Sequence, residues 1–274
     1  MSISASYSFD SQRWFSVIEH RRSRRKFDPS KHIPPDTMSR VKLLCKRFRP
    51  FVGVRAELVS ETPSRLFKGA VGPYGKVSGA PAFVAFIGDM NATNVQEQIG
   101  YVGEAIVLEM TALGLGTCWV GGFFRKEVAA SAVNLTESER VIAVTPIGYA
   151  KQLVTFGEKA ITGFGRSHRR KRLSVLTTGL HSLEWPQWIR TSLQAARLAP
   201  SAVNRQPWRF KVEHESITVS DGTKGPDFNV SKRLDCGIAM LHIEVAAANC
   251  GVTGEWQFLE SPSVARFSNI KTSK

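Results

Sequence analysis

At 274 residues, 42% of them hydrophobic, the chain can bury one large core or two ordinary ones, since domains hold roughly 100–200 residues. Its longest apolar runs, APAFVAFIG at 80–88 and VIAVTPIGY at 141–149, are far shorter than the ~20 residues that cross a bilayer, so they read as buried strands. The net charge of +14 is gathered in RRSRRK (21–26), RVKLLCKRFR (40–49) and RSHRRKR (166–172). Such runs suit solvated faces, a general attraction to nucleic acid or anionic lipid, or an anion site, for which the planar fork of arginine is the better ligand.

The first fifteen residues hold no basic stretch followed by an apolar one, which points to a cytoplasmic protein. Cys45, Cys118, Cys236 and Cys250 form no CxxC pair, and the six histidines show no ligand spacing. Reduced, mostly buried cysteines and no protein-held metal are expected.

Taken in order, the pattern predicts a helix near 11–20, a basic turn, and a helix near 36–47 opened by PPDT. A strand at 55–60, a Gly/Pro-rich loop at 69–79 and the strand at 81–88 follow. A largely apolar helix spans about 96–113 and ends in GLGTCWVGGF, and the strand at 141–149 completes this part. The polar, basic segment 151–182 reads as a linker between halves 1–150 and 183–274. The second half offers a helix at 184–198 stopped by Pro200, strands at 208–213 and 216–220, and an apolar helix at 235–250. A displacement of 137 positions pairs Gly100 with Gly237, Ile106 with Ile243, Gly114 with Gly251 and Trp119 with Trp256, so the halves partly repeat.

Two motifs carry chemistry. IEHRRSRRKF (18–27) puts Arg21, Ser23 and Arg25 at alternate positions, so an extended turn would aim two guanidinium groups and a hydroxyl the same way. In APSAVNRQPWRF (199–210), Pro200 stops a helix, Ser201 and Ala202 permit a flat ligand to approach, and Asn204 and Gln206 bring amides. A helix stop leading to a buried Trp208 would explain only the Pro and the Trp. GLGTCWVGG lacks GxGxxG spacing, so a dinucleotide-binding Rossmann site is not expected.

RRSRRKF, APSAVNRQPWRF, ALGLGTCWVGGFF (112–124) and PIGYA (146–150) together resemble the flavin-dependent nitroreductase family. The resemblance implies an α+β nitroreductase-like fold with central sheets and long buried helices, holding FMN. The order of motifs departs from the family pattern. The PSxxNxQPW loop ordinarily follows the basic turn, where this chain has CKRFRPFVGVRAEL (45–58), and here it appears in the second half. The chain is therefore similar to members with two nitroreductase-like halves fused in one chain, an internal pseudo-dimer whose halves each keep one side of a flavin site.

Carried over residue by residue, the resemblance assigns the FMN phosphate to Arg21, Arg22, Ser23 and Arg25, aided by Arg170 and Arg172, although any basic linker would look like that last pair. Lys76 falls near the pyrimidine edge of the ring, where its charge favours the reduced flavin. Gly121 and Gly122 bring backbone N–H groups, Pro200, Ser201, Ala202 and Asn204 face the ring and ribityl chain, and Gln206 and Trp208 support the loop. The implied activity takes electrons from NADH or NADPH to a small aromatic acceptor such as a nitroaromatic or quinone. No side chain is assigned as a general base, and no membrane or nucleic-acid partner is called for. Fusion implies a monomer. Alternatives from other classes are a flavin-binding protein with little turnover and a basic nucleic-acid-binding protein on a lapsed scaffold.

Overall fold

The computed structural model describes residues 10–67, 76–151, 169–222, 225, 227 and 229–270. Residues 69–75 of the Gly/Pro-rich loop and 152–168 of the segment read as a linker lie outside them. The chain forms two compact units that are not simple segments. One comprises Met1–Glu19, Gln96–Ala105 and Arg170–Lys274, the other His20–Val95 and Ile106–Arg169.

The unit containing His20–Val95 is built on an antiparallel sheet, order β1-β2-β4-β3, from β1 (Val54–Val59), β2 (Ala82–Asp89), β3 (Gly116–Thr117) and β4 (Glu139–Gly148). β2 is buried on both faces for seven residues, which is why it reads as a continuous apolar run without alternation. Phe27, Leu66, Phe83, Ala85, Ile87, Cys118, Val120, Phe124, Val141 and Val144 fill one core. Helix α2 (Pro35–Arg47) starts on Pro at its first position, a place with no backbone donor to lose, and buries Val41 and Cys45. A short helix, α4 (Lys126–Ser131), buries Ala129. Arg55 ties β1 to β4: it donates to both carboxylate oxygens of Glu139 (2.7 and 2.9 Å), to Glu57 and to the Asn134 carbonyl.

The unit containing Arg170–Lys274 has a five-stranded sheet, order β5-β6-β7-β9-β8, from β5 (Thr177–Gly179), β6 (Trp208–Glu213), β7 (Ser216–Asp221), β8 (Gly254–Phe258) and β9 (Ser263–Asn269). All pairs are antiparallel except β5 with β6. Trp256 and Trp188 both meet the ring of Phe267, at 5.2 and 6.0 Å between centroids. Helices α1 (Ser11–Ile18), α6 (Gln187–Leu198) and α7 (Lys232–Asn249) belong to this unit, as do residues 96–105 of α3 (Val95–Ala112).

Both α3 and α7 have 18 residues, and their bounds differ by the 137 positions of the sequence repeat. They end alike. Gly114 and Gly251 take φ of +77° and +76°, and at each end the glycine N–H and the N–H of the next residue close the last turn onto carbonyls inside the helix. The helices cross where neither carries a side chain. A Cβ on Gly100 would lie 2.0 Å from the Leu234 carbonyl oxygen, and one on Gly237 would lie 1.9 Å from that of Glu97. The contact is reciprocal, because the same displacement relates Glu97 to Leu234 and Gly100 to Gly237.

The predicted long helices and strands occur within a few residues of the expected bounds. The segment read as a linker differs at its end: Leu173–Leu176 form one helical turn, α5, and Thr177–Gly179 form the parallel edge strand β5. β3, α4, β8 and β9 were not anticipated. Cys45, Cys118 and Cys236 are buried, Cys250 is exposed, and none is disulfide-bonded. Trp256 is core, whereas Trp119 is only half-buried and leans on Phe86, 4.7 Å between centroids. No described helix is long and apolar enough to cross a membrane.

Gly237→Ala should destabilise by ~3 kcal/mol or more in chemical denaturation, because the methyl group meets backbone rather than a movable side chain. Gly114→Ala, with open space around it, should cost only the ~1–2 kcal/mol of a left-handed alanine. At the Arg55 clamp, hydrogen bonds from Arg55 hold the Glu139 carboxyl down to about 2 from an ordinary 4.5. Its folded pKa lies below its unfolded one, so the stabilisation is present above pH 4.5 and is lost as pH falls towards 2. Glu139→Gln should therefore cost ~2 kcal/mol at neutral pH and flatten the acid limb of the unfolding curve.

Candidate functional site

The basic turn is held extended by its neighbours. Ser23 bridges Thr117, Lys26 bridges Ser78 and Phe27 bridges Ala150, with backbone bonds from Arg24 to Thr117, Phe27 to Ser78, and Ser78 back to Arg25. Extended backbone sends alternate side chains opposite ways. Arg21 is 5% exposed and Ser23 and Arg25 are half-buried, while Arg22, Arg24 and Lys26 face solvent. Arg21, Ser23 and Arg25 therefore lie on the inward side of the turn, and Arg22 on the solvent side.

These three meet over a residue to which the sequence analysis gave no site role, Cys118. Burial raises the Cys118 thiol, against the nearby Arg25 charge, a Ser23 hydrogen bond and the Arg21 charge, which all lower it. The Cys118 N–H donates to Thr145 Oγ1 at 3.1 Å, which fastens the end of the GLGTC turn to β4. Beyond it, Val120 exchanges two 2.9 Å backbone bonds with Val144, and Gly121 and Gly122 follow in a half-buried bend. Lys76 is exposed, two residues before Ser78. Two guanidinium groups and a hydroxyl on one face, with a neutral thiol beneath, form a donor set that fits a dianion such as a phosphate monoester.

The loop 199–208, in the other unit, is conformationally unusual. Val203, Asn204 and Gln206 all have positive φ, at +47°, +56° and +49°. A β-branched residue there is a genuine outlier, and non-Gly left-handed residues cost ~1 kcal/mol or more each. The surrounding structure over-determines this shape. Arg205 donates to Asp235 (2.7 Å) and to the carbonyls of Asp227 (2.8 Å) and Val230 (2.7 Å), while the Ala202 N–H donates to the other Asp235 oxygen (3.0 Å). The Gln206 N–H donates to Ser201 Oγ (3.0 Å). Lys171 clamps the far side, its N–H on Gln206 Oε1 (2.8 Å) and its ammonium on the carbonyls of Arg205 and Gln206.

Arg170, placed at the phosphate by resemblance, here donates to Asn204 Oδ1 and to the Leu198 carbonyl. Arg172 is exposed and caps α5. Pro200 is buried, and Ser201, Ala202 and Asn204 are half-buried. Gln206 and Trp208 are buried; Gln206 is bonded to Lys171 and Ser201, and Trp208 opens β6. Lys171, Arg205 and Asp235 are the residues that sequence reasoning passed over. Arg205 stood inside the quoted motif, but its partner lies thirty positions away with no periodicity to connect them.

Arg205 and Asp235 are a buried pair, with side chains 9% and 2% exposed. Burial pushes the Asp235 carboxyl up to about 6, against the Arg205 charge and the Ala202 N–H, which pull it down.

Residues 14–247 match the model of a protein family described as “Putative TM nitroreductase”. The chain is similar to a solved structure from Thermotoga maritima described as a “putative nitroreductase”, with 18% identity over 96% of this chain and 97% of that one and a TM-score of 0.60. At that identity the likeness shows the α+β fold. Other similar structures are a nitroreductase family protein from Clostridium novyi (21% identity, 51% of this chain and 86% of that one, TM-score 0.42) and a nitroreductase with bound FMN from Bacteroides fragilis (19%, 55% and 97%, TM-score 0.40). No curated protein matches the sequence.

Asp235→Ala leaves the Arg205 charge buried without its carboxylate and should destabilise by ~3–5 kcal/mol in denaturant unfolding. The double change Arg205→Met with Asp235→Leu should recover a good part of that loss, because removing both charges leaves neither stranded.

Proposed function

The chain belongs to the nitroreductase family, and from that premise we propose that it is an FMN-dependent oxidoreductase using NADH or NADPH as donor. FMN, when held, supplies two-electron transfer between the nicotinamide and a flat acceptor such as a nitroaromatic or quinone. The observation that carries the reading is the shared inward face of Arg21, Ser23 and Arg25 over the neutral Cys118 thiol.

In this reading Arg21, Ser23 and Arg25 bind the phosphate and fix where the cofactor sits, and Arg22 adds charge from the solvent side. Lys76 places a positive charge that favours electron uptake, and Gly121 and Gly122 present backbone N–H groups. Pro200, Ser201 and Ala202 carry no long side chain, so the strained loop can lie flat against a ring, with Asn204 as its hydrogen-bonding residue. Arg170 acts by holding Asn204, and Lys171, Arg205 and Asp235 hold the loop. Arg172 contributes long-range charge. With both halves in one chain, the protein works as a monomer, which light scattering checks.

The purified protein should be yellow, with stoichiometric flavin, and should oxidise NADPH or NADH steadily in the presence of a quinone or nitrofuran. Arg21→Ala with Arg25→Ala should weaken FMN binding at least ~100-fold by fluorescence titration, given ~1.5–3 kcal/mol for each charge-assisted bond. A colourless protein that takes up no FMN would overturn the proposal. A yellow protein reduced by dithionite but not by NAD(P)H would leave binding without turnover and overturn the enzymatic part.

A further inference from the structure

One charged surface has no part in that reading. Helix α2 packs inward through Val41 and Cys45, and buried Phe48 and Phe51 continue its apolar face into the turn before β1. Its outer face is cationic. Arg40, Lys42, Lys46 and Arg47 are exposed, Arg49 extends the series, and Leu43 sits among them half exposed. The opposing charges are Asp36, exposed in the first turn, and Glu109, 3.9 Å from Arg40.

The series ends at an apolar tip. Val52 is fully exposed at the turn into β1, and Met90, 49% exposed, lies at the end of β2. The Asp89 N–H donates to the Gly53 carbonyl at 2.8 Å, so the residues next to Val52 and Met90 are hydrogen-bonded to each other. Arg140, paired with Gly88, is exposed on the same end of the sheet. The acids nearby are Asp89, Glu137 and Glu139. Asp89 accepts the Asn91 N–H, and Glu139 is neutralised by Arg55.

Cations alone would suit any polyanion. A projecting valine and methionine inside a cationic rim fit a narrower class of partner, because apolar side chains gain nothing against a phosphate backbone in water but gain by entering a headgroup layer. We propose that this end of the sheet is a peripheral docking surface for an anionic lipid bilayer, with Val52 and Met90 entering the interface and Lys46, Arg47, Arg49 and Arg140 lying over the headgroup phosphates. The contact is reversible and requires no membrane-spanning segment.

Sedimentation of the full chain with phosphatidylcholine vesicles, with and without a minority of phosphatidylserine, tests it. The protein should pellet with the mixed vesicles and stay in solution with the neutral ones. Lys46→Gln with Arg47→Gln should weaken binding ~30-fold at low salt, the worth of two surface charges. Val52→Asp, at a fully exposed position and so without effect on the melting temperature, should weaken it at least as much. Failure to pellet with anionic vesicles, or binding indifferent to Val52→Asp, overturns the proposal. So does tight binding to duplex DNA that falls with the charge changes and ignores Val52→Asp, which would assign the patch to nucleic acid.

Discussion

The unit that carries the strained loop depends on two helices being able to touch backbone to backbone. At the crossing of α3 and α7 there is no room for a Cβ on either Gly100 or Gly237, and each glycine faces a carbonyl oxygen of the other helix. Close approach brings the flanking polar groups into range. Arg233 of α7 wraps the buried Glu97 of α3 with bonds of 2.5 to 3.1 Å, and Tyr101 reaches Glu244 at 2.8 Å. Trp256 of β8 donates to the same Glu244 oxygen at 2.7 Å, so the sheet is fastened to the helix pair through one carboxylate. A helix pair separated by two extra methyl groups would lose both interhelical ties together.

Charges buried this way need a proton account. His242 has no solvent exposure and lies between two oxygens, the Ala195 carbonyl at 2.9 Å and Glu104 Oε1 at 3.0 Å. A carbonyl can only accept, so Nδ1 carries a proton, and the close approach to the carboxyl needs another on Nε2 or on Glu104. The His242 ring thus links α6, α7 and α3 through two buried hydrogen bonds. Glu244 is pushed up by burial, while its hydrogen bonds from Tyr101 and Trp256 pull it down. Such groups add little stability over an apolar core, but each punishes a shifted register, which suits a crossing whose glycines tolerate only one.

Much of this was legible in the sequence, and the parts that were not share a cause. Long apolar runs announce themselves, so β2, β4, α3 and α7 were read nearly to their bounds, and the 137-residue displacement emerged as two helices of equal length. Alternation in RRSRRKF gave the inward face of Arg21, Ser23 and Arg25, because extended backbone has a period of two whatever surrounds it. The three-residue strand β5 and the one-turn α5 have too few residues to show a period, and they form because Phe210, Lys211 and Val212 of β6 offer an edge. Cys118 beneath the arginines, and Asp235 beneath Arg205, depend on approaches between distant positions that no local pattern encodes.

The loop 199–208 shows why those distant approaches matter most where chemistry is expected. Left-handed backbone suits Asn204 but is unfavourable at Val203 and Gln206, where nothing in the local sequence favours it. It persists because Arg205, Asp235, Lys171 and Arg170 bind the loop from several sides. A relaxed conformation would break the buried Arg205–Asp235 pair, which costs more than the strain it would relieve. Backbone strain maintained by surrounding bonds is a device for holding a surface in one shape before a ligand arrives. The residues that do the holding thus fix the shape in which Ser201, Ala202 and Asn204 are presented.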